Sequence, residues 1–149
     1  MTARLLDVNV LVALTWPTHV HHLAARTWFD RESAAGWATC PITQLGFVRV
    51  SSNPKAIPDA VRPQQAIAMF QQMTRLPGHR FWPDDVPVTA TGPFASLSLV
   101  GHRQVTDAYL VALARHHGGK LATLDRGVSG LIAAREERSQ WVELIPVEG

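Results

Sequence analysis

Five short apolar segments of strand character, at residues 3–6, 36–39, 80–82, 121–124 and 142–145, alternate with longer segments of helical period. Crossover helices linking parallel strands produce this alternation, so it restricts the chain to the α/β class. A short apolar helix follows Asp7, with Asn9 as its expected cap. Residues 19–30 form the next helix, with Val20, Leu23, Ala24, Thr27 and Trp28 as one buried stripe. Pro41 suits a first helical turn, and Ile42, Leu45 and Val48 follow before Ser51, Ser52, Asn53 and Pro54 stop the helix. Pro63 opens another, whose face is Ala66, Ile67, Phe70 and Met73. Residues 83–101 hold three prolines and two glycines without a period and read as irregular. Val105, Tyr109, Ala112 and Leu113 restore a helix over residues 104–117, which Gly118 and Gly119 end. A short helix at 128–134 precedes the last strand.

A length of 149 residues fits one domain over residues 1–149, and no repeat or low-complexity tract divides it. With 46% hydrophobic and 17% charged residues the chain can cover both faces of a sheet, which excludes a disordered tail protein. The net charge is only +2, so charge alone does not argue for a polyanion partner. Cys40 has no second cysteine to pair with and suits a reducing compartment. The apolar run at the start meets Asp7 too early to span a membrane. A cytoplasmic protein without membrane attachment is therefore expected.

Chemistry enters through the acids. Asp7 and Asp125 directly follow the last apolar residues of their strands, which in a parallel sheet puts both at the carboxyl edge. Asp107 lies near the start of a helix that runs back to the next strand, so its end points to the same edge. Gln44 lies early in the helix after the second strand and is expected there too. Singly, each acid is explained as a cap or as a complement to a helix dipole. Together, Asp7, Asp107 and Asp125 would repel one another unless they held a divalent cation. An oxygen-only set suits Mg²⁺ or Mn²⁺, and such an ion can promote phosphodiester hydrolysis.

The strings LLDVNVLVAL, CPITQLGFVRV, VTDAYLVALA and LATLDRGV together resemble the four signature segments of PIN domains, in order and across nearly the whole chain. They are most similar to the toxin subunits of bacterial VapBC toxin-antitoxin pairs. The resemblance implies a three-layer α/β/α fold with a five-stranded parallel sheet, and endoribonuclease activity dependent on Mg²⁺ or Mn²⁺. It assigns catalytic and metal-binding roles to Asp7, Asp107 and Asp125, with Asn9 and Thr123 as polar neighbours that orient them. Structured RNA such as transfer RNA is the implied substrate, a VapB-type antitoxin the implied partner, and a homodimer the implied assembly.

One departure is that the family's second acid is matched here by Gln44, whose amide accepts hydrogen bonds but cannot act as a base. A PIN domain weakened in this way would act as an RNA- or antitoxin-binding module, which is the alternative reading. His102, Arg103 and Arg126 flank the acids and are the expected phosphate contacts. Asp7-Val8-Asn9 also resembles the D-x-D motif of haloacid-dehalogenase phosphatases. Its second Asp is Asn, however, and Lys120 precedes its strand rather than following it. His19, His21 and His22 are read as a solvated helix start, and His116 and His117 as a favourable charge at a helix end. The tryptophans are assigned to the core, with base stacking as a second role for Trp16.

Overall fold

A computed structural model describes residues 2–89 and 92–147. Strands β1 (Arg4–Leu6), β2 (Trp37–Thr39), β3 (His79–Phe81), β4 (Lys120–Thr123) and β5 (Val142–Leu144) form one sheet in the order β3-β2-β1-β4-β5. Every neighbouring pair is parallel. Helices α1 (Val8–Thr15), α2 (His22–Glu32), α3 (Pro41–Ser51) and α4 (Pro63–Met73) lie against one face. On the other are α5 (Val105–His116) and the short α6 (Arg138–Trp141). This is the three-layer α/β/α sandwich that the resemblance implies, within the α/β class expected from the alternating pattern.

Strand alternation divides the core in two. Ala3, Leu5 and Leu121 turn towards α5 and pack with Leu110, Val111 and Leu113. Leu6 and Ala122 turn the other way, onto Val10, Leu11, Phe47 and Phe70. All five tryptophans are buried, as expected. Trp16 is no exception: its indole donates to Ser51 Oγ at 3.0 Å, so it is a core residue and not a stacking platform.

Several boundaries differ from expectation. Asp7, not Asn9, caps α1, accepting from Val8 N at 2.8 Å, and Asn9 lies inside the helix. The second helix begins at His22, and its buried face is Ala25, Trp28 and Phe29. Leu23 is 78% exposed because the large aromatic pair sets the helix's rotation, and Val20, 84% exposed, lies in the turn before the helix. The segment expected as a helix at 128–134 is a 3₁₀ run, Arg126–Leu131. The irregular stretch 83–101 contains a 3₁₀ turn and sends Val86 and Leu97 into the core; its residues 90–91 lie outside the described residues. Gly118 follows α5 at φ +75, the left-handed conformation that lets the chain turn into β4.

At the amino edge of the sheet, Arg4 joins Glu143 at 3.0 Å and Glu32 at 3.4 Å. Glu143 also accepts from Trp28 Nε1 at 2.6 Å. This network ties β1, β5 and α2 together. The carboxyl edge is thereby left to other chemistry.

Candidate active site

The alternation that sends Leu5 and Leu121 towards α5 sends Asp7 and Thr123, two residues on, the same way. There they meet Asp107, in the first turn of α5. Asp125 follows β4 and caps the 3₁₀ run, accepting from Gly127 N at 2.8 Å. Asp7, Asn9, Asp107 and Asp125 line one cleft of about 360 Å³, together with Val8, Val12, His19 and Val50. Three acids separated by up to 118 positions thus share one small space (125 − 7).

Thr123 organises this edge. Its hydroxyl, fully buried, donates to Asp7 Oδ2 at 2.8 Å and accepts from Asp125 N at 3.1 Å and Asn9 Nδ2 at 3.3 Å. One donor and two acceptor positions are all used, which fixes the rotamer. Asn9 closes the circuit by accepting from Leu124 N at 3.2 Å. Thr123 therefore holds Asp7 directly, and Asn9, through Thr123 and Leu124 N, positions the chain that carries Asp125.

Burial pushes the Asp7 carboxyl above its ordinary range, and the Asp125 charge adds to this against the opposing bonds from Thr123 and Val8. Asp107 is pushed up to about 6, first by burial and then by the charges of Asp7 and Asp125. None of the ion pairs among the described residues involves these three acids. The cleft thus gathers acidic groups that no ion pair among the described residues offsets. Carboxylate oxygens in a small cleft fit a hard dication such as Mg²⁺ or Mn²⁺.

Gln44 is not part of this cleft. Its amide donates to Thr39 Oγ1 at 3.1 Å, and the residue lines a separate groove between α3 and α4 with Leu45, Val48, Ile67 and Phe70. The physical reason is helical phase: the buried face of α3 is Thr43, Gly46, Phe47 and Ser51, and Gln44 lies off it. Gly46 packs so close to α1 that a Cβ there would run into the Val8 side chain, and Val50 lines the cleft one turn on. Helix α3 itself holds no Asp or Glu, so the site receives no carboxylate from it.

His102, Arg103 and Arg126 are exposed, the first two on the 3₁₀ turn that leads into α5 and the last immediately after Asp125. His19 is a cleft residue that the sequence reading left in solvent. His21 N donates to its Nδ1 at 3.0 Å, so the neutral ring carries its proton on Nε2. Burial and the neighbouring His21 and His22 keep its pKa below the usual histidine value. No periodic signal marks His19, because it sits in a turn before α2. Asp85 lies away from the cleft, at the far end of α5 beside His116 and His117.

Comparison with known proteins adds relatives to this geometry. The PIN domain family matches residues 4–131. Ribonuclease VapC39 of Mycobacterium tuberculosis is 50% identical over 134 residues, covering 90% of this chain and 96% of that protein. Ribonuclease VapC38 of the same organism is 46% identical over 144 residues, covering 96% and 98%. Among solved structures, FitAcB from Neisseria gonorrhoeae superposes with a TM-score of 0.56 at 22% identity, over 93% of this chain and 94% of that one. FitAB bound to an IR36 DNA fragment gives 0.59 at 19% identity, over 97% of each chain.

Proposed function

The chain belongs to the PIN-domain family, and from that premise we propose that it is a VapC-type toxin, an endoribonuclease that uses Mg²⁺ or Mn²⁺ to hydrolyse structured RNA. The observation that carries the reading is the convergence of Asp7, Asp107 and Asp125 on one cleft, with two of the carboxyls pushed up by burial and mutual repulsion. These three acids would hold the ion. A bound dication supplies charge neutralisation at the scissile phosphodiester and favours ionisation of the attacking water.

The chain's own residues supply position. Asp7 is held by Val8 N and Thr123, so its carboxylate is oriented before any ion arrives. Asp107 enters from α5 and Asp125 from the turn after β4, which spaces the three donors around the cleft. His19 offers Nε2–H as a neutral donor at the cleft wall. Arg103, Arg126 and His102 would grip flanking phosphates, a role their exposure permits. With a net charge of +2, RNA selection rests on shape and local contacts rather than on a basic surface. Transfer RNA is the substrate we favour.

A cognate VapB-type antitoxin and a second copy of the chain are the proposed partners. Two apolar surfaces support two such contacts. One is the α3–α4 groove, with Leu45 63% and Ile67 46% exposed; the other is the α2 face carrying Val20 and Leu23 beside Pro146 and Val147. No helix among the described residues is long and apolar enough to cross a membrane, and we place the activity in the cytoplasm. The absence of an acid from α3 favours one second reading, a PIN domain that binds RNA or antitoxin without cutting.

The test is incubation of purified protein with total RNA and transfer RNA in Mg²⁺, in Mn²⁺ and in chelator, beside an Asp7→Asn variant. Cleavage only with metal and wild-type protein is expected. Cleavage that survives chelator or Asp7→Asn overturns the mechanism, and RNA binding without cleavage selects the second reading.

A further inference from the structure

The end of α5 remote from the cleft carries a second group of ligand atoms. His116 and His117 close the helix, nine and ten residues after Asp107, about 14 Å away along the axis at 1.5 Å per residue. The segment after β3 brings Asp85 to them. Its Oδ1 lies 3.0 Å from His117 Nε2 and its Oδ2 3.8 Å from His116 Nε2. The two imidazoles stand at 85° with centroids 5.1 Å apart, and the three ligand atoms all lie within 4.8 Å of one another. Trp82 stacks on His117 at 10° and 4.8 Å, which fixes that ring and leaves its Nε2 facing the carboxylate.

From this geometry we infer that Asp85, His116 and His117 form a transition-metal site of the zinc class, separate from the acidic cleft. Two imidazole nitrogens and one carboxylate oxygen are a borderline donor set that Zn²⁺ accepts, with water in the fourth position. Mg²⁺ prefers an all-oxygen octahedron and discriminates against it. Bonds of about 2.0 to 2.2 Å in a tetrahedron need ligand atoms about 3.4 Å apart, so rotations of about 1 Å in half-exposed side chains complete the site. An ion there pins the segment 82–86, the start of the long irregular stretch, onto α5. Val86 N already makes a weaker bond in the same place, donating to Tyr109 OH at 3.3 Å. The role is a clip on the fold, and without the ion the same residues make an ordinary Asp–His pair.

The experiment titrates Zn²⁺ into chelator-treated full-length protein by calorimetry, and Co²⁺ by its visible absorption. It compares wild type with Asp85→Asn, His116→Ala, a cleft variant (Asp7→Asn with Asp107→Asn), and His102→Ala as a surface control. One equivalent of Zn²⁺ with intense tetrahedral Co²⁺ absorption is expected in the cleft variant, and the same tetrahedral absorption in wild type and His102→Ala, whose cleft acids take a further equivalent through oxygen ligands. Affinity should fall at least tenfold in Asp85→Asn and in His116→Ala. The side chains of His116 and Asp85 are 47% and 42% exposed, so both variants should fold, which an unchanged melting transition in chelator checks. Zn²⁺ binding that is absent in wild type, unaffected by both variants, or lost only with the cleft acids overturns the inference. RNA cleavage in Mg²⁺ is scored separately, so failure of this site and failure of the nuclease reading remain distinguishable.

Discussion

Replacing Asp107 by Asn should stabilise the metal-free protein while removing its response to Mg²⁺. Burial, then the charges of Asp7 and Asp125, hold the Asp107 carboxyl at about 6 against an ordinary value of 3.8. An acid whose pKa is raised in the folded state binds more protons there than in the unfolded chain. Its destabilisation is absent below about pH 4, grows as pH rises, and is complete above about pH 6. The gap would be worth about 3 kcal/mol if fully expressed, and solvent screening at a half-buried side chain reduces it to about 1 to 2 kcal/mol. Asn cannot ionise, so at pH 8 in chelator the variant should melt about 4 °C higher than wild type. At pH 4 the two should coincide. Adding Mg²⁺ reverses the order, because only wild type gains binding energy, about 2.7 kcal/mol at one hundred times the dissociation constant. Thermal melts at both pH values, with and without Mg²⁺, give the answer. A variant less stable than wild type at pH 8 in chelator, or an advantage that grows towards pH 4, would refute the electrostatic reasoning.

Thr123→Val keeps the shape but removes the hydroxyl shared by Asp7, Asn9 and Asp125; it should cost about 1 to 3 kcal/mol and lower cleavage about 10- to 100-fold, read by melting and by RNA assay. Gly46→Ala should destabilise by about 1 to 3 kcal/mol through overpacking against Val8, and Val8→Ala in the same chain should return most of it in denaturant melts. Arg103→Ala and Arg126→Ala should leave melting unchanged, since both side chains are exposed. If each grips one phosphate, each should lower the slope of log affinity against log salt by about 0.7 to 0.9 in RNA-binding titrations.

The sheet and the three acids were legible because they depend on short-range order. A strand end followed at once by Asp needs no knowledge of packing to be placed at a carboxyl edge. Gln44 lies in the first turn after β2, at the expected edge, but lines the neighbouring groove rather than the acidic cleft, because that choice depends on helix rotation, fixed here by the close seat of Gly46 on Val8. The same holds for α2, where Trp28 is buried as expected but Ala25 and Phe29, rather than Leu23 and Ala24, complete its core face. His19 was illegible for a different reason: it reaches the cleft from a turn, where neither the period of 2 nor that of 3.6 applies. Asp85 and His116–His117 are separated by a stretch with no readable structure, so nothing local announced their meeting.

Reading Asp7 as a helix cap and reading it as a metal ligand describe the same side chain. Oδ1 accepts from Val8 N and Oδ2 from Thr123, and both bonds favour the ionised carboxylate; yet burial and the Asp125 charge outweigh them, and the pKa lies above its ordinary value. An acid needed only as a cap gains nothing from facing a second and a third acid across a cleft. The two bonds fix its orientation while leaving its charge uncompensated, which is the state in which a dication binds with the least rearrangement and the largest electrostatic gain.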